Sequence, residues 1–477
     1  MIMQDRLILF LLFFLTPGFV LAADVDLQIT RDFTTSWQGI LSLLIFFITY
    51  SLIILEESLH LRKSKPAMVA AGIIWVLVAI TYAGVGDTVT VDAVLRHNLS
   101  EFANLFLFLL AAMTYVNTME ERGVFNLLRA WMMSRGYTLR KIFWLTGLIA
   151  FFISPVVDNL TTALLMAVVV STIGGNNHQF VAISCINIVV AANAGGVFSP
   201  FGDVTTLMVW QKGLVDFQEF FYLFVPGLVN WLVTAAFLSF AIARGNPEGV
   251  QSQAELKYGA WIVVGLFLIT ITMAVTFHHF LHLPPVLGMM TGLGILKLFG
   301  YYLQRRDEAY ARMAEVTATG ESGLLLEPSP TYDIYKNLQN VEWDTLMFFY
   351  GIILCVGGLG AFGYLALTSE FTFEFLGPTT ANILIGFASA VVDNIPIMFA
   401  VLEMNPDMSL GQWLLVTLTA GVGGSMLSIG SAAGVAVMGQ CRGVYTFMAH
   451  LRWTWAVVLG YAASICTHLL LNAKTFT

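Results

Sequence analysis

Residues 154–161 read Ser-Pro-Val-Val-Asp-Asn-Leu-Thr, and residues 389–396 read Ser-Ala-Val-Val-Asp-Asn-Ile-Pro. The aspartates of these two stretches, Asp158 and Asp393, are 235 residues apart (393 − 158). A second pair of stretches follows in the same order. Residues 193–203 contain Gly-Gly, Ser-Pro and Gly-Asp, and residues 421–431 contain Gly-Gly, Ser and Gly-Ser. Two ordered matches predict a duplicated unit within the chain.

Both units lie in a chain whose composition is that of a membrane protein. Its 477 residues are 58% hydrophobic and only 11% charged, whereas soluble domains are about 25% charged. A helix needs about 20 apolar residues to cross a bilayer. The apolar runs are long and do not alternate, which excludes a β-barrel. We therefore predict an all-α polytopic membrane protein with spans at residues 39–55, 67–84, 99–119, 178–210, 220–243, 258–277, 285–303, 344–366, 412–439 and 452–471.

Two further apolar segments, residues 142–173 and 379–404, carry the repeated Asp-Asn pairs near their centres. Each is too long for one span and too short for two, so we predict two re-entrant hairpins. Irregular backbone at membrane depth is tolerated only where protein covers it or where it lines a cavity. The spans at residues 178–210 and 412–439 contain the Gly-Gly stretches, and we predict that both are discontinuous helices.

The distribution of basic residues orients these segments. The larger group falls in or beside loops that we place in the cytoplasm: Arg62, Lys63, Lys65, Arg122, Arg129, Arg135, Arg140, Lys141, Arg244, Lys257, Arg305, Arg306, Arg312, Lys336, Arg442 and Arg452. The smaller group falls outside: Arg31, Arg96, Lys212 and Lys474. This asymmetry follows the positive-inside rule. An odd number of crossings then separates the hairpins, which predicts two inverted repeats over residues 37–244 and 256–472, with a cytoplasmic loop over residues 304–342.

The remaining features of the chain limit the classes of function that it can have. Residues 1–22 are either a cleavable signal peptide or an uncleaved first short span. The net charge of −8 is mild and dispersed, which argues against nucleic-acid binding. We find no cofactor or nucleophile motif, so we predict neither a cofactor nor an enzyme. Inverted repeats with discontinuous helices are typical of secondary transporters, whose sites lie where the repeats meet.

Three carboxylates, Asp158, Asp203 and Asp393, fall at the predicted helix breaks. A charge at the bilayer centre costs about 2.5–3.5 kcal/mol, and no Lys or Arg lies nearby in sequence to neutralise them. Carboxylate, amide and hydroxyl oxygens suit a small hard cation, so we predict a cation site. Its further candidate ligands are Asn159, Thr161, Thr162, Asn193, Ser199, Thr205, Thr206, Ser389, Asn394, Ser428 and Ser431.

Protons compete with a metal cation for such carboxylates. Desolvation makes a carboxylate hold a proton more tightly, while a bound cation displaces that proton. Exchange follows if the protein reorients when its site holds either a cation or protons, but not when the site is empty and charged. Glu101 and Asp344, at span entrances, are candidates for an accessory role.

At residues 156–162, 193–206 and 389–396 the chain resembles the NhaD-type sodium/proton antiporters of the ion transporter superfamily. The resemblance covers almost the whole chain. It implies the fold of the divalent-anion/sodium symporter relatives, with two inverted repeats, often assembled as homodimers. It also implies export of Na⁺ or Li⁺ in exchange for inward H⁺ across the bacterial inner membrane. The implied primary ligands are Asp158, Asn159, Asn193 and Asp203, and the pseudo-symmetric side comprises Asp393, Asn394, Ser428 and Ser431.

Two alternatives use the same scaffold, a sodium-coupled carboxylate symporter and an arsenite-type exporter. Relatives that carry dicarboxylates have a Ser-Asn-Thr signature at each hairpin tip. The corresponding places here, residues 158–161 and 393–396, begin with aspartate, which favours cation exchange. Ser431 stands where Asp203 stands in the first repeat, so we predict that the two half-sites differ.

Overall fold

The computed structural model describes residues 32–242, 245, 256–318 and 338–476. Within these ranges the chain forms helices and turns but no strand. Ten of the described helices are long and apolar enough to cross a membrane. This confirms the prediction of an all-α polytopic membrane protein. Residues 1–22 and most of the polar part of the loop at 304–342 lie outside the described residues.

The first repeat starts with helices that lie before the hairpin. They are α1 (Trp37–Ile54), the short α2 (Glu56–Leu59), α3 (Ser64–Gly84), α4 (Thr88–Glu121) and α5 (Val124–Ser134). The hairpin and the following helices are α6 (Leu139–Val157), α7 (Asn159–Gly174), α8 (His178–Gly196), α9 (Val204–Gln211), a 3₁₀ turn (Glu219–Leu223) and α10 (Phe224–Phe240).

The second repeat follows the same plan. It starts with α11 (Ala260–Leu281), α12 (Pro285–Ala318), α13 (Trp343–Phe362), α14 (Tyr364–Ser369) and a π-helical turn (Glu370–Phe375). The second hairpin and the helices after it are α15 (Pro378–Val391), α16 (Asn394–Met404), α17 (Leu410–Gly423), α18 (Ala432–Gln440), α19 (Phe447–Leu451), α20 (Thr454–Leu471) and a 3₁₀ turn (Ala473–Phe476).

Local capping moves some helix ends away from the predicted ones. The span predicted at residues 99–119 begins at Thr88, because the carboxylate of Asp87 accepts the backbone N–H of Thr90 at 3.1 Å and caps α4. The span predicted at residues 344–366 ends at Phe362, because Gly363 takes a φ of +100° that a helix does not continue through. Caps of this kind determine helix length independently of hydrophobicity.

Each predicted hairpin consists of two helices that reverse at the repeated Asp-Asn pair. Helices α6 and α7 meet at Asp158, and α15 and α16 are joined by Val392 and Asp393. In each hairpin the two helices pack against each other, and the first also packs on the helix that follows the hairpin. The depth that each hairpin reaches in the bilayer stays a prediction.

The two broken helices have the same backbone crossing at their breaks. A Cβ on Gly196 would lie 2.7 Å from the carbonyl oxygen of Gly202, and a Cβ on Gly424 would lie 2.6 Å from that of Gly430. Only glycine allows the backbone to approach itself this closely. The Gly-Gly stretches therefore mark the helix breaks, as the sequence predicted.

The packing of each hairpin on its broken helix also repeats. Gly195 of α8 lies against the carbonyl of Phe151 in α6, and a Cβ there would be 2.2 Å from the oxygen. In the second repeat, Gly423 lies against the carbonyl of Gly386, where a Cβ would be 2.3 Å away. Residues at equivalent positions thus make equivalent close contacts in the two repeats.

A hydrogen bond adds to this correspondence between the repeats. The Ser154 hydroxyl donates to the carbonyl oxygen of Ala192 at 2.6 Å. The Ser389 hydroxyl donates to that of Ala420 at 2.7 Å. The two serines open the two repeated octapeptides, and both satisfy a carbonyl of the broken helix.

Candidate cation site

The site centres on the carboxylate of Asp203, which is only 3% exposed. Its Oδ1 accepts the backbone N–H of Thr205 at 3.1 Å and so caps α9. Its Oδ2 accepts a side-chain N–H from Asn159 at 2.9 Å and another from Asn394 at 3.0 Å. Because the two asparagines follow the aspartates of the two hairpin tips, the Asp203 carboxylate lies between the two hairpins.

Asp158 lies at the tip of the first hairpin in an unusual backbone conformation. Its φ is +74°, a region in which residues other than glycine are strained. Its Oδ1 accepts the Thr161 N–H at 2.8 Å, and its Oδ2 accepts the Thr161 hydroxyl at 2.9 Å. These bonds cap α7 and hold the carboxylate in place.

Asn193 joins the two halves of the site. Its Oδ1 accepts an N–H from Asn159 at 3.0 Å. Its Nδ2 donates to the hydroxyl oxygens of Ser425 at 2.8 Å and Ser431 at 3.0 Å. Sequence reasoning missed Ser425, although its place directly after the second Gly-Gly pair was a usable signal.

Asp158 and Asp203 line the same small cavity, which has a volume of about 20 Å³. A cavity needs about 10–15 Å³ to hold one water molecule. This cavity therefore has room for about one water molecule or one dehydrated monovalent cation, and it is too small for a carboxylic-acid substrate.

Two of the predicted hydroxyl residues of the first repeat support the broken helix rather than line this cavity. Ser199 donates to the carbonyl of Pro155 at 2.8 Å. Thr206 donates to the carbonyl oxygens of Ser199 at 2.8 Å and Asp203 at 2.7 Å. They satisfy backbone groups that the break leaves without helical partners.

Thr162 and Ser428, two of the predicted ligands, are both fully buried. Neither hydroxyl oxygen has a hydrogen-bond partner among the residues that the structure describes. A buried polar group without a partner is costly.

Although no Lys or Arg lies near the three carboxylates in sequence, the structure brings a lysine to Asp393. Its Oδ2 lies 3.2 Å from the ammonium nitrogen of Lys63. The two residues are 330 positions apart in sequence, so no local pattern could indicate the pair.

The two accessory candidates, Glu101 and Asp344, do not line the cavity at Asp203. Glu101 pairs with Lys212 at 3.2 Å, and Lys212 also pairs with Glu403 at 3.4 Å. Asp344 accepts a hydrogen bond from the Ser64 hydroxyl. Both carboxylates thus have partners away from the site.

A larger cavity of about 600 Å³ leads toward Asp158. Its wall includes Thr161, which holds the Asp158 carboxylate, and it shares Met113 and Val116 with the small cavity. Arg129 and Lys257, which we place in the cytoplasm, line it as well. The space beside Glu101 and Lys212, the latter a residue that we place outside, is only about 10 Å³.

The chain matches known transporters over most of its length. The family model described as Citrate transporter matches residues 44–421. The Na(+)/H(+) antiporter NhaD of Vibrio cholerae is 54% identical over 450 residues, which cover 94% of this chain and 94% of the relative.

Proteins of other organisms are also similar. The Na(+)/H(+) antiporter NhaD of Halomonas elongata is 50% identical and covers 93% of this chain, with 91% of its own length matched. Sodium/proton antiporter 1 of Arabidopsis thaliana is 30% identical over 94% of this chain and 75% of its own length. Relatives from bacteria and a plant thus share nearly the whole chain.

Proposed function

Because the chain belongs to the NhaD family of Na⁺/H⁺ antiporters, we propose that it exports Na⁺ or Li⁺ in exchange for external H⁺. It is a multi-pass membrane protein and a secondary transporter rather than an enzyme. We place it in the bacterial inner membrane, with its basic loops in the cytoplasm.

The hydrogen bonds of the Asp203 carboxylate are the main support for this proposal. A single oxygen, Asp203 Oδ2, accepts hydrogen bonds from the asparagines of both hairpins, Asn159 and Asn394. An ion bound there would contact both repeats at once. Secondary transporters reorient by moving one structural unit against another around such a site.

The proposed ligands are Asp158, Asn159, Asn193 and Asp203. The carboxylates and amide oxygens are hard ligands suited to Na⁺ or Li⁺. A cation compensates the two negative charges of Asp158 and Asp203 in part, and protons do so instead when they bind. The empty site leaves both charges buried, which disfavours reorientation.

The cavities around the candidate site support the proposed direction of exchange, with Na⁺ exported and H⁺ imported. The cavity of about 600 Å³ approaches Asp158 from the side of Arg129 and Lys257. The space on the side of Lys212 is about 10 Å³. These cavities support access to the site from the cytoplasmic side, where Na⁺ for export would bind.

The name of the matching family model raises the alternative of carboxylate transport. An anionic substrate would be repelled by Asp158 and Asp203, and their shared cavity of about 20 Å³ is too small for it. The alternative is thus not favoured.

The outer surface fits a lipid environment. Large apolar side chains such as Phe240, which is 80% exposed, and Leu298, which is 74% exposed, point away from the protein interior. Such side chains would contact acyl chains. The family resemblance further implies a homodimer, which light scattering of the purified protein in detergent would test.

The proposal is tested in everted membrane vesicles that carry a preformed proton gradient. We expect NaCl or LiCl to dissipate the gradient, with an apparent KM that rises as the pH falls because H⁺ and the cation compete for the same oxygens. Fluorescence dequenching of a pH-sensitive dye measures this. Dequenching by a dicarboxylate plus Na⁺, but not by NaCl alone, would contradict the proposal.

The asparagines of the two hairpins provide a second test. Replacing Asn394 by alanine removes an N–H donor from Asp203, and we expect the apparent KM for Na⁺ to change about tenfold. The matched control is Asn382→Ala in the same hairpin, where the Asn382 side chain donates to Gln412 instead. An equal change of KM in both variants would count against a direct role of Asn394.

A further inference from the structure

Lys63 and Asp393 form a buried ion pair on the side of the second hairpin. Their charged atoms are 3.2 Å apart, and the two side chains are only 11% and 10% exposed. The Lys63 ammonium also lies 4.3 Å from the centre of the Phe348 ring. A lysine is rarely buried to this degree without a specific partner.

Asp393 is the counterpart of Asp158, but its surroundings differ. The Asp158 carboxylate caps its helix through Thr161. The Asp393 side chain caps nothing, and proline stands at position 396, where the first repeat has Thr161. The Oδ1 atom of Asp393 is buried without a hydrogen-bond partner among the described residues. Lys63 thus supplies the interaction that threonine supplies in the first repeat.

The pair lies beside cavities that reach Arg62 and Arg442, which we place in the cytoplasm. Lys63 and Asp393 line a cavity of about 40 Å³. This cavity shares Glu56, Val435 and Met438 with a larger one of about 510 Å³. Ions in the larger cavity therefore come close to Asp393. A specific interaction at the Asp393 carboxylate must then determine whether they bind to it.

We propose that Lys63 is the resident cation of the second half-site. Its ammonium group occupies the place at Asp393 that a transported cation would otherwise take, and it neutralises the charge of the Asp393 carboxylate. Transported Na⁺ is thereby confined to the half-site of Asp158 and Asp203. Lys63 acts as a positioning and specificity residue, and this role rests on the proposed function.

Among the charged and polar groups around Lys63, a single carboxylate is the dominant partner of its ammonium group. The hydroxyl of Tyr50 accepts the backbone N–H of Asp393 at 3.0 Å. The carboxylate of Glu56 accepts the backbone N–H of Lys63 at 3.3 Å. Asp344 is bonded to the hydroxyl of Ser64. Only Asp393 pairs with the Lys63 ammonium among the described residues.

The test is the apparent KM for Na⁺ of variants at both positions, measured at one pH by dequenching in vesicles. Lys63→Met leaves Asp393 unpaired, and the extra negative charge should lower the KM about tenfold. Asp393→Asn leaves Lys63 unpaired, and we expect the KM to rise about tenfold. The double variant restores neutrality and should return the KM to within about threefold of the original. Lys63→Arg, which keeps the charge, should also stay near the original.

The control is Lys65→Met, which removes an exposed lysine two positions away and should leave the KM unchanged. A merely structural ion pair would make both single variants worse in the same direction, so shifts of equal sign, or no shift, would overturn the proposal. If Lys63→Met does not fold, Asp393→Asn and the double variant decide the question by the same comparison. Failure of the proposed function is a different result, because the unaltered protein would then show no Na⁺-evoked dequenching.

Discussion

Replacing Asp203 by serine should lower Na⁺-evoked proton movement at least about 100-fold. The change removes the carboxylate that both hairpin asparagines contact. Serine is a suitable replacement because Ser431 occupies the equivalent position in the second repeat. Ser431 caps α18 by accepting the Gly434 N–H at 3.2 Å. The variant therefore keeps a competent helix cap. Dequenching in everted vesicles measures the loss.

The matched control is Asp216→Asn, an exposed aspartate of the same repeat, which should transport normally. Amounts of protein in the membrane are compared by immunoblotting, and folding is compared by size-exclusion chromatography in detergent. Transport by a well-folded Asp203→Ser variant at more than about a tenth of the original rate would reject Asp203 as the central ligand. A tenfold loss corresponds to only about 1.4 kcal/mol, which is less than the loss expected for this carboxylate.

Replacing Gly195 by alanine should lower the free energy of unfolding by about 3 kcal/mol, at the upper end of the usual cost of overpacking. The new Cβ would lie 2.2 Å from the Phe151 carbonyl oxygen. Because that atom belongs to the backbone of α6, no side-chain rotation relieves the clash. Either α6 and α8 separate or the protein unfolds at a lower temperature. Thermal unfolding in detergent measures the difference.

The same substitution at Gly294 of α12 is the control. A Cβ there meets nothing within 4 Å, and alanine favours a helix by up to about 1 kcal/mol over glycine. The two variants should therefore shift the unfolding temperature in opposite directions. We expect Gly423→Ala, at the equivalent crossing in the second repeat, to behave like Gly195→Ala. Equal stability of Gly195→Ala and Gly294→Ala would mean that the close crossing of α6 and α8 does not matter for stability.

Much of the architecture follows from local properties of the chain. Long apolar runs predict spanning helices wherever they occur, and the Gly-Gly stretches at 195–196 and 423–424 predict breaks because only glycine permits the backbone contact found there. Helix ends were less predictable. The start of α4 depends on the side chain of Asp87, and a cap of one residue outweighs the hydrophobicity of its neighbours.

The residues of the site were easier to predict than the contacts between them. Asp158, Asp203 and the asparagines stood out because charged and amide groups are costly in an apolar segment. Which of them touch could not be deduced. Glu101 was a candidate for an accessory role, yet it pairs with Lys212 at 3.2 Å. Cost in the membrane is a property of a single residue, whereas contact depends on how helices pack.

The amino-acid sequence alone determined that the chain is an all-α membrane protein with acidic groups in its apolar segments, and it predicted two repeats, because length, hydropathy and spacing are properties of the chain itself. Only the tertiary structure decided that Asn159 and Asn394 share Asp203, and that Lys63 neutralises Asp393 across 330 residues. Such pairings arise when distant helices pack together, because electrostatic attraction acts through space over a few ångströms, whatever the separation in sequence.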